Sequence, residues 1–265
     1  MIAEIPGKSI LVVAHPDDEI LWFSSVLSDV DHIVLSYLGE LVNPAFGDQR
    51  RQVLVDYPLQ HKMSCLELVS LGLSRPRNFL DPQFSQYGIE FTDDQGVDEK
   101  LKEQYRENYR LLRSKLSQIL AGYRNVFTHN PWGEYGHEEH VQVYRVIQEL
   151  QKEMGYDILF SNYCSTRTVH LASLIVNSCK VGTRAIDKTI ALKILEVYER
   201  TNTWTWYENW VWPAQETFFK ESFSDSQCMS AGTFLPLNMI VMPPLPPQPA
   251  PSESRLSRLK QFLGV

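Results

Sequence analysis

The chemistry in this sequence is concentrated in two short stretches. The first is Ala14-His15-Pro16-Asp17-Asp18-Glu19, where an imidazole and two carboxylates fall within four positions beside a turn-forming proline. The second is Tyr135-Gly136-His137-Glu138-Glu139-His140, preceded by Thr128-His129-Asn130-Pro131-Trp132-Gly133-Glu134. His137 and His140 are three apart, so on a helix they project from one face. Taken singly, each stretch has an ordinary explanation: Asp17 or Asp18 capping a helix, and a chance His pair on a surface helix. Together they supply two imidazoles and a carboxylate for a metal, with a second carboxylate and a third imidazole to spare. A His/His/carboxylate set with an open position is the donor set of hydrolytic zinc, and it suits non-haem Fe(II) equally. A cation so held polarises a carbonyl and acidifies water, a carboxylate takes the proton of the attacking water, and an acid protonates the departing amine.

Elements that place both stretches at one edge are legible around them. Ser9 to Ala14 reads as a strand followed by a helix from Asp18 to about Leu27, and His32 to Leu38 reads as a second strand. Lys62 to Leu71 is expected to be helical, closed by Gly72. Asp98 to Leu120 is a long amphipathic helix. It is followed by a strand at Asn125 to Thr128, a helix from about His137 to Lys152, and a strand at Ile158 to Phe160. Thr183 to Arg200 is expected to form a further helix ahead of an aromatic stretch, Trp204 to Phe219. Such alternation predicts an α/β fold, a Rossmann-like and mostly parallel sheet with helices on both faces. Ligands bind such sheets at the carboxyl ends of the strands, where both stretches lie. One domain over residues 1–240 is expected, with an irregular C-terminal extension. That extension is a Pro-rich tail over 241–265 (Pro243 to Pro251), ending in a short helix at Ser252 to Leu263.

The paired blocks resemble the signatures of the LmbE/PIG-L family of zinc-dependent N-deacetylases, an A-H-P-D-D-E block near the N-terminus and a G-H-x-x-H block downstream. The resemblance implies His15, Asp18 and His140 as metal ligands and Asp17 as general base. His137 would be the general acid or the electrostatic partner of the tetrahedral intermediate, Glu139 would orient it, and Tyr135 would help hold the oxyanion. It also implies a bound Zn2+, with Fe2+ fitting the same donors, and an N-acetylglucosamine-type amino sugar or its conjugate as substrate. Two family features are missing. Gln60, His61 and Lys62 stand where many members carry an Arg/Glu pair, and Leu195, Val197 and Tyr198 stand where many carry a His-x-Ser-Gln pattern. Phe79-Leu80-Asp81 resembles the region where members place a sugar-binding Asp.

Other residues carry more ordinary readings. Glu19 is either a helix-dipole acid or a carboxylate that holds a ligand. His129 reads as a strand-end histidine bonded to backbone. His32, His61 and His170 read as structural or exposed. Trp132, better placed than Trp204, Trp206, Tyr207, Trp210 or Trp212, is the candidate face for a stacked sugar, although clustered aromatics are more often core. Arg255, Arg258 and Lys260 form a solvated face.

The chain has 265 residues, with 25 basic and 32 acidic side chains and a net charge of −7. That balance argues against a nucleic-acid partner. Cys65, Cys164, Cys179 and Cys228 are scattered, which reads as free thiols in a reducing compartment. No apolar run is long enough to span a bilayer, no leader pattern opens the chain, and the expected location is cytoplasmic. Two competing functions remain open: N-deacylation of a longer acyl chain on a glycolipid or glycopeptide, and a glycan-binding module without turnover. A nucleotide-binding domain fits poorly, because the first turn has no glycine-rich loop and its carboxylates repel phosphate.

Overall fold

The computed structural model describes residues 6–73, 82–90, 97–174, 179–221 and 237–242. The expected tail, its terminal helix and the Phe79-Leu80-Asp81 stretch lie outside these. In chain order the elements are β1 (Ser9–Val13), α1 (Asp18–Trp22), β2 (His32–Glu40), α2 (Pro44–Val55) and β3 (Met63–Ser70). There follow β4 (Phe84–Ser85), β5 (Gly88–Ile89), α3 (Glu99–Ile119), β6 (Asn125–Thr128), α4 (Glu138–Met154), β7 (Asp157–Ser161) and β8 (Tyr163–Ser165). The last are β9 (Cys179–Ala185), α5 (Lys188–Arg200), β10 (Gln215–Glu221) and β11 (Asn238–Ile240).

The expected α/β architecture is present. A seven-stranded sheet runs in the order β3-β2-β1-β6-β7-β10-β9. Its first five strands are parallel and its last two pair antiparallel. The chain winds outward from β1 to β3, then returns to add β6 on the other side of β1. The boundary between β1 and β6 is therefore the point where strand order reverses, and sheets of this kind bind ligands there, at the carboxyl ends of the strands.

Strand alternation explains the two-sided core. Ile10 and Val12 of β1 face Leu112 and Leu116 of α3 and Val143 and Ile147 of α4, all essentially buried. Leu11 and Val13 face the other way, onto Ile20 and Leu21 of α1, Val53 of α2 and Ile194 of α5. Each such side chain contributes about 1.5–3 kcal/mol when fully buried. α3 starts at Asp98, whose Oδ1 accepts from Leu101 N at 2.8 Å. α4 ends at Gly155, whose φ of 75° meets the left-handed conformation that a helix C-cap requires.

Three expectations are corrected. Residues 63–70 form strand β3, not a helix; Leu66, Leu68 and Ser70 are buried while Glu67 and Val69 are exposed, a period of two. Within the expected helix at 183–200 only Lys188–Arg200 is helical, because Cys179–Ala185 is the edge strand β9. The cysteines are not all free: Cys65 and Cys164 are, but Cys179 is disulfide-bonded. The inference of a reducing compartment loses that support. Among the described residues no helix is long and apolar enough to cross a membrane.

Candidate metal centre

Both motifs reach the switch point between β1 and β6. β1 ends at Val13, and its continuation turns through Asp17, a non-glycine residue held at a φ of 97°. Such a conformation costs of order 1–3 kcal/mol unless the surroundings impose it. Here they do: Asp17 N donates to Glu19 Oε2 at 3.0 Å, and Asp17 O accepts from Ile20 N and Leu21 N at 3.2 and 3.0 Å. β6 ends at Thr128, and the chain makes a tight loop through Gly133, where a Cβ would stand 2.5 Å from His137 O. That close approach sets His137 as the N-cap of α4, with its Nδ1 accepting from Glu139 N at 3.2 Å.

The resulting geometry brings the expected ligands together. His140 Nε2 lies 3.2 Å from Asp18 Oδ1, and His15 Nδ1 lies 3.2 Å from Asp18 Oδ2. One donor atom each from His15, His137 and His140 fall within 4.8 Å of one another, as do those of Asp18, His129 and His140. The outward ring nitrogens are both held by buried carboxylates. His15 Nε2 is 2.6 Å from Glu139 Oε2, and His140 Nδ1 is 2.7 Å from Glu134 Oε2. This carboxylate–imidazole pairing fixes ring orientation and leaves the inner nitrogen free to ligate. His140 Nε2 is buried and, among the described residues, has no hydrogen-bond partner. An orphaned imidazole nitrogen facing a carboxylate is an arrangement a cation completes, so the donor set fits a divalent metal of the zinc type.

The electrostatics agree. Burial would lower the His15 pKa, but Asp18 and Glu139 outweigh it and push it up to about 10. Burial would raise Asp18, yet His140, His129 and His15 hold it well below the usual carboxylate range. His137 is held well below the ordinary imidazole value by burial and by its neighbours His140 and His15. Burial and the adjacent Asp18 push Asp17 up to about 6, against Thr205 and Arg50, which lower it.

The remaining residues singled out in the sequence divide clearly. Tyr135 stands edge-on to His137 and His140, ring centroids 5.8 and 5.6 Å away. Glu139 binds His15, Ser70 Oγ and Leu71 N, so the ring it orients is His15 and not His137. Glu19 is buried and accepts from Tyr57 and Tyr198 hydroxyls at 2.9 and 2.7 Å. Tyr198, one of the positions that depart from the family pattern, thereby supports the Asp17 turn. His129 accepts from Ala14 N at 2.8 Å, as expected of a strand-end histidine, and also stacks on His140 at 3.9 Å. Trp132 is only 1% exposed, with Nε1 donating to Tyr163 O at 2.9 Å, so it is core and offers no face to a sugar. His32 is tied to Tyr123 and Ser64, and His61 and His170 are exposed.

Three residues were not foreseen. Glu134 holds His140 and His129 at once. Arg50 of α2 is 5% exposed, lies over the Phe46 ring at 4.5 Å, and among the described residues has no hydrogen-bond partner for its Nε. It supplies a buried guanidinium near Asp17, from α2 and not from the Gln60–Lys62 region where the sequence invited a search. Thr205 donates through N to Asp17 Oδ2 at 3.1 Å and through Oγ1 at closer range. The need of every ligating imidazole for an outer partner would have pointed to Glu134; Arg50 and Thr205 had no sequence signal.

No protein-family model and no curated protein matches the chain. Solved structures do. The zinc-inhibited form of a teicoplanin deacetylase superposes with a TM-score of 0.50 at 11% identity, over 80% of this chain and 97% of that one. The A40926 pseudoaglycone deacetylase gives 0.48 at 12% identity, over 80% and 96%. The first of these likenesses gives the chain the α/β fold of the teicoplanin deacetylase, and at 11% identity it extends to the fold alone.

Proposed function

We propose that this protein is a metal-dependent hydrolase of the LmbE/PIG-L type, which removes the N-acetyl group from an amino sugar or sugar conjugate. The observation that carries the proposal is the meeting of His15, Asp18 and His140 at the switch point. Both imidazoles are oriented by buried carboxylates, and the Asp17 carboxylate stands beside them. A Zn2+ held by His15, Asp18 and His140 would polarise the amide carbonyl and acidify water. Asp17 accepts the proton of the attacking water. Tyr135 and His137 would donate hydrogen bonds to the carbonyl oxygen as it gains negative charge, and the proton taken up by Asp17 goes on to the departing amine as the C–N bond breaks. Burial keeps His137 neutral, which suits a donor that polarises without adding a fixed charge. Acetate and the free amine are the products.

A second reading, hydrolysis of a longer N-acyl chain, is favoured by one feature. A cavity of about 640 Å³ lies among Tyr163, Trp210, Val211, Met239 and Met242. Two of its lining residues, Tyr163 and Trp210, pack against Trp22, whose Nε1 donates to Asp18 Oδ1 at 2.9 Å.

The test is product release from N-acetyl, N-hexanoyl and N-decanoyl glucosamines and their conjugates, using wild type and Asp17→Ala. Acetate release that the variant loses while keeping its metal supports the first reading, and preference for the longer chains supports the second. An Asp17→Ala protein with full activity removes the base assignment.

A further inference from the structure

The aromatic stretch after α5 returns across the mouth of the centre, and its fixed ends determine what it brings there. At one end Thr203 is fully buried, and its N donates to Tyr198 O at 2.9 Å. At the other, Trp212 is 7% exposed and its Nε1 donates to Ile20 O at 2.6 Å. Between these anchors Trp206 packs against Trp22 and Tyr135, ring centroids 5.3 and 5.1 Å away. The loop is thus fastened to α5, to α1 and to the Tyr135 turn by contacts that do not involve Asp17. Thr205 sits in this span. It is exposed, yet its N and Oγ1 both donate to Oδ2 of Asp17, which is only 2% exposed.

The geometry points to Thr205 as a positioning residue that orients the Asp17 carboxylate for proton transfer; this rests on the hydrolase reading above. Two donors from one residue occupy Oδ2, and among the described residues Oδ1 has no hydrogen-bond partner. One carboxylate oxygen is thereby committed and the other left to take the proton. The Asp17 backbone is already set by Glu19 and by the first turn of α1, so the torsion that remains free is that of the carboxylate, and Thr205 fixes it. A general base works only within hydrogen-bond reach and in the right orientation. Because Thr205 is exposed, changing its side chain removes no core packing.

The test compares Thr205→Val, which keeps the backbone N–H and the shape but loses the hydroxyl, with Thr205→Ser, which restores it. Both are measured in the full-length, zinc-loaded protein. Thr205→Val is expected to lower kcat by roughly 10- to 100-fold, a part of what general-base catalysis supplies, with KM and zinc content unchanged. Thr205→Ser is expected to recover most of the loss, and in an Asp17→Ala background Thr205→Val should cost nothing more. Wild-type kcat in Thr205→Val, a loss carried by KM, or a serine variant as impaired as the valine one would overturn the assignment. If no substrate is turned over, the hydrolase reading fails separately. The contact is then decided by urea unfolding of wild type, Thr205→Val, Asp17→Ala and the double variant: coupled effects sustain it, and additive effects reject it.

Discussion

Glu134→Gln is the perturbation with the most specific consequence. The Glu134 side chain is fully buried, and one of its oxygens accepts from two imidazoles, His140 Nδ1 at 2.7 Å and His129 Nδ1 at 2.9 Å. The other accepts from Asn130 N at 3.1 Å. Glutamine has the same shape but only one acceptor oxygen. If that oxygen faces the imidazoles, the amide NH₂ meets the Asn130 N–H. If it faces Asn130, the NH₂ meets two ring N–H groups. Either orientation leaves at least one buried donor unsatisfied, at a cost of about 1–3 kcal/mol. The charge that makes His140 a stronger ligand is also gone, and loss of such a partner weakens metal binding roughly 10- to 100-fold. A competition titration of zinc against a chromophoric chelator reads this directly, with Glu153→Gln as the control because Glu153 is on the surface. Zinc affinity for Glu134→Gln within twofold of wild type would refute the claim that Glu134 orients a ligand.

Three further outcomes follow from the same geometry. Asp18 and Glu139 raise the His15 pKa to about 10 against its burial, so in the metal-free protein a proton occupies the proposed ligand and would have to leave when zinc binds. Apparent zinc affinity should climb by roughly one log unit per pH unit between pH 6 and 9, and a pH-independent affinity by calorimetry would contradict this. Burial pushes Glu216 up to about 7 even though Ser25 and Tyr163 donate to it. The folded state thus holds this proton more tightly than the unfolded chain, and stability should fall as pH rises from about 4.5 through about 7. Urea midpoints across that range should flatten in Glu216→Gln. Lys62 Nζ donates to three carbonyls, Leu27 O, Ser28 O and Val30 O, at 2.7, 3.0 and 2.8 Å. Lys62→Met should therefore lose about 1–2 kcal/mol of unfolding free energy with zinc affinity unchanged.

What the sequence revealed tracks how local each cause is. α3 and α4 were legible because their apolar positions recur at helical spacing over many turns and their ends carry a capping Asp98 and Gly155. β1 and β6, with the candidate metal ligands just past them, were legible because short apolar runs stop at polar turns. β3 was misread because Met63, Leu66, Leu68 and Val69 admit a helical spacing, and only the burial of alternate residues from Leu66 to Ser70 decides for a strand. α2 escaped notice because its stripe is thin, with Gly47, Arg50 and Val53 as its buried positions. His15, Asp17, Asp18, His137 and His140 could be picked out because they lie in two compact motifs. Their supports could not, because Thr205 and Tyr198 reach the first motif from 188 and 179 residues away in the chain. Glu139 was assigned to its sequence neighbour His137, and folding gives it to His15 across 124 positions.

Acetate release followed against metal content decides whether amide hydrolysis here depends on a metal held by His15, Asp18 and His140. Protein stripped with a chelator is titrated with zinc while acetate from an N-acetylglucosamine conjugate is measured. No release is expected from the stripped protein, with activity rising in proportion to zinc up to one equivalent and no recovery for His140→Ala. Undiminished acetate release from metal-free protein would contradict that dependence.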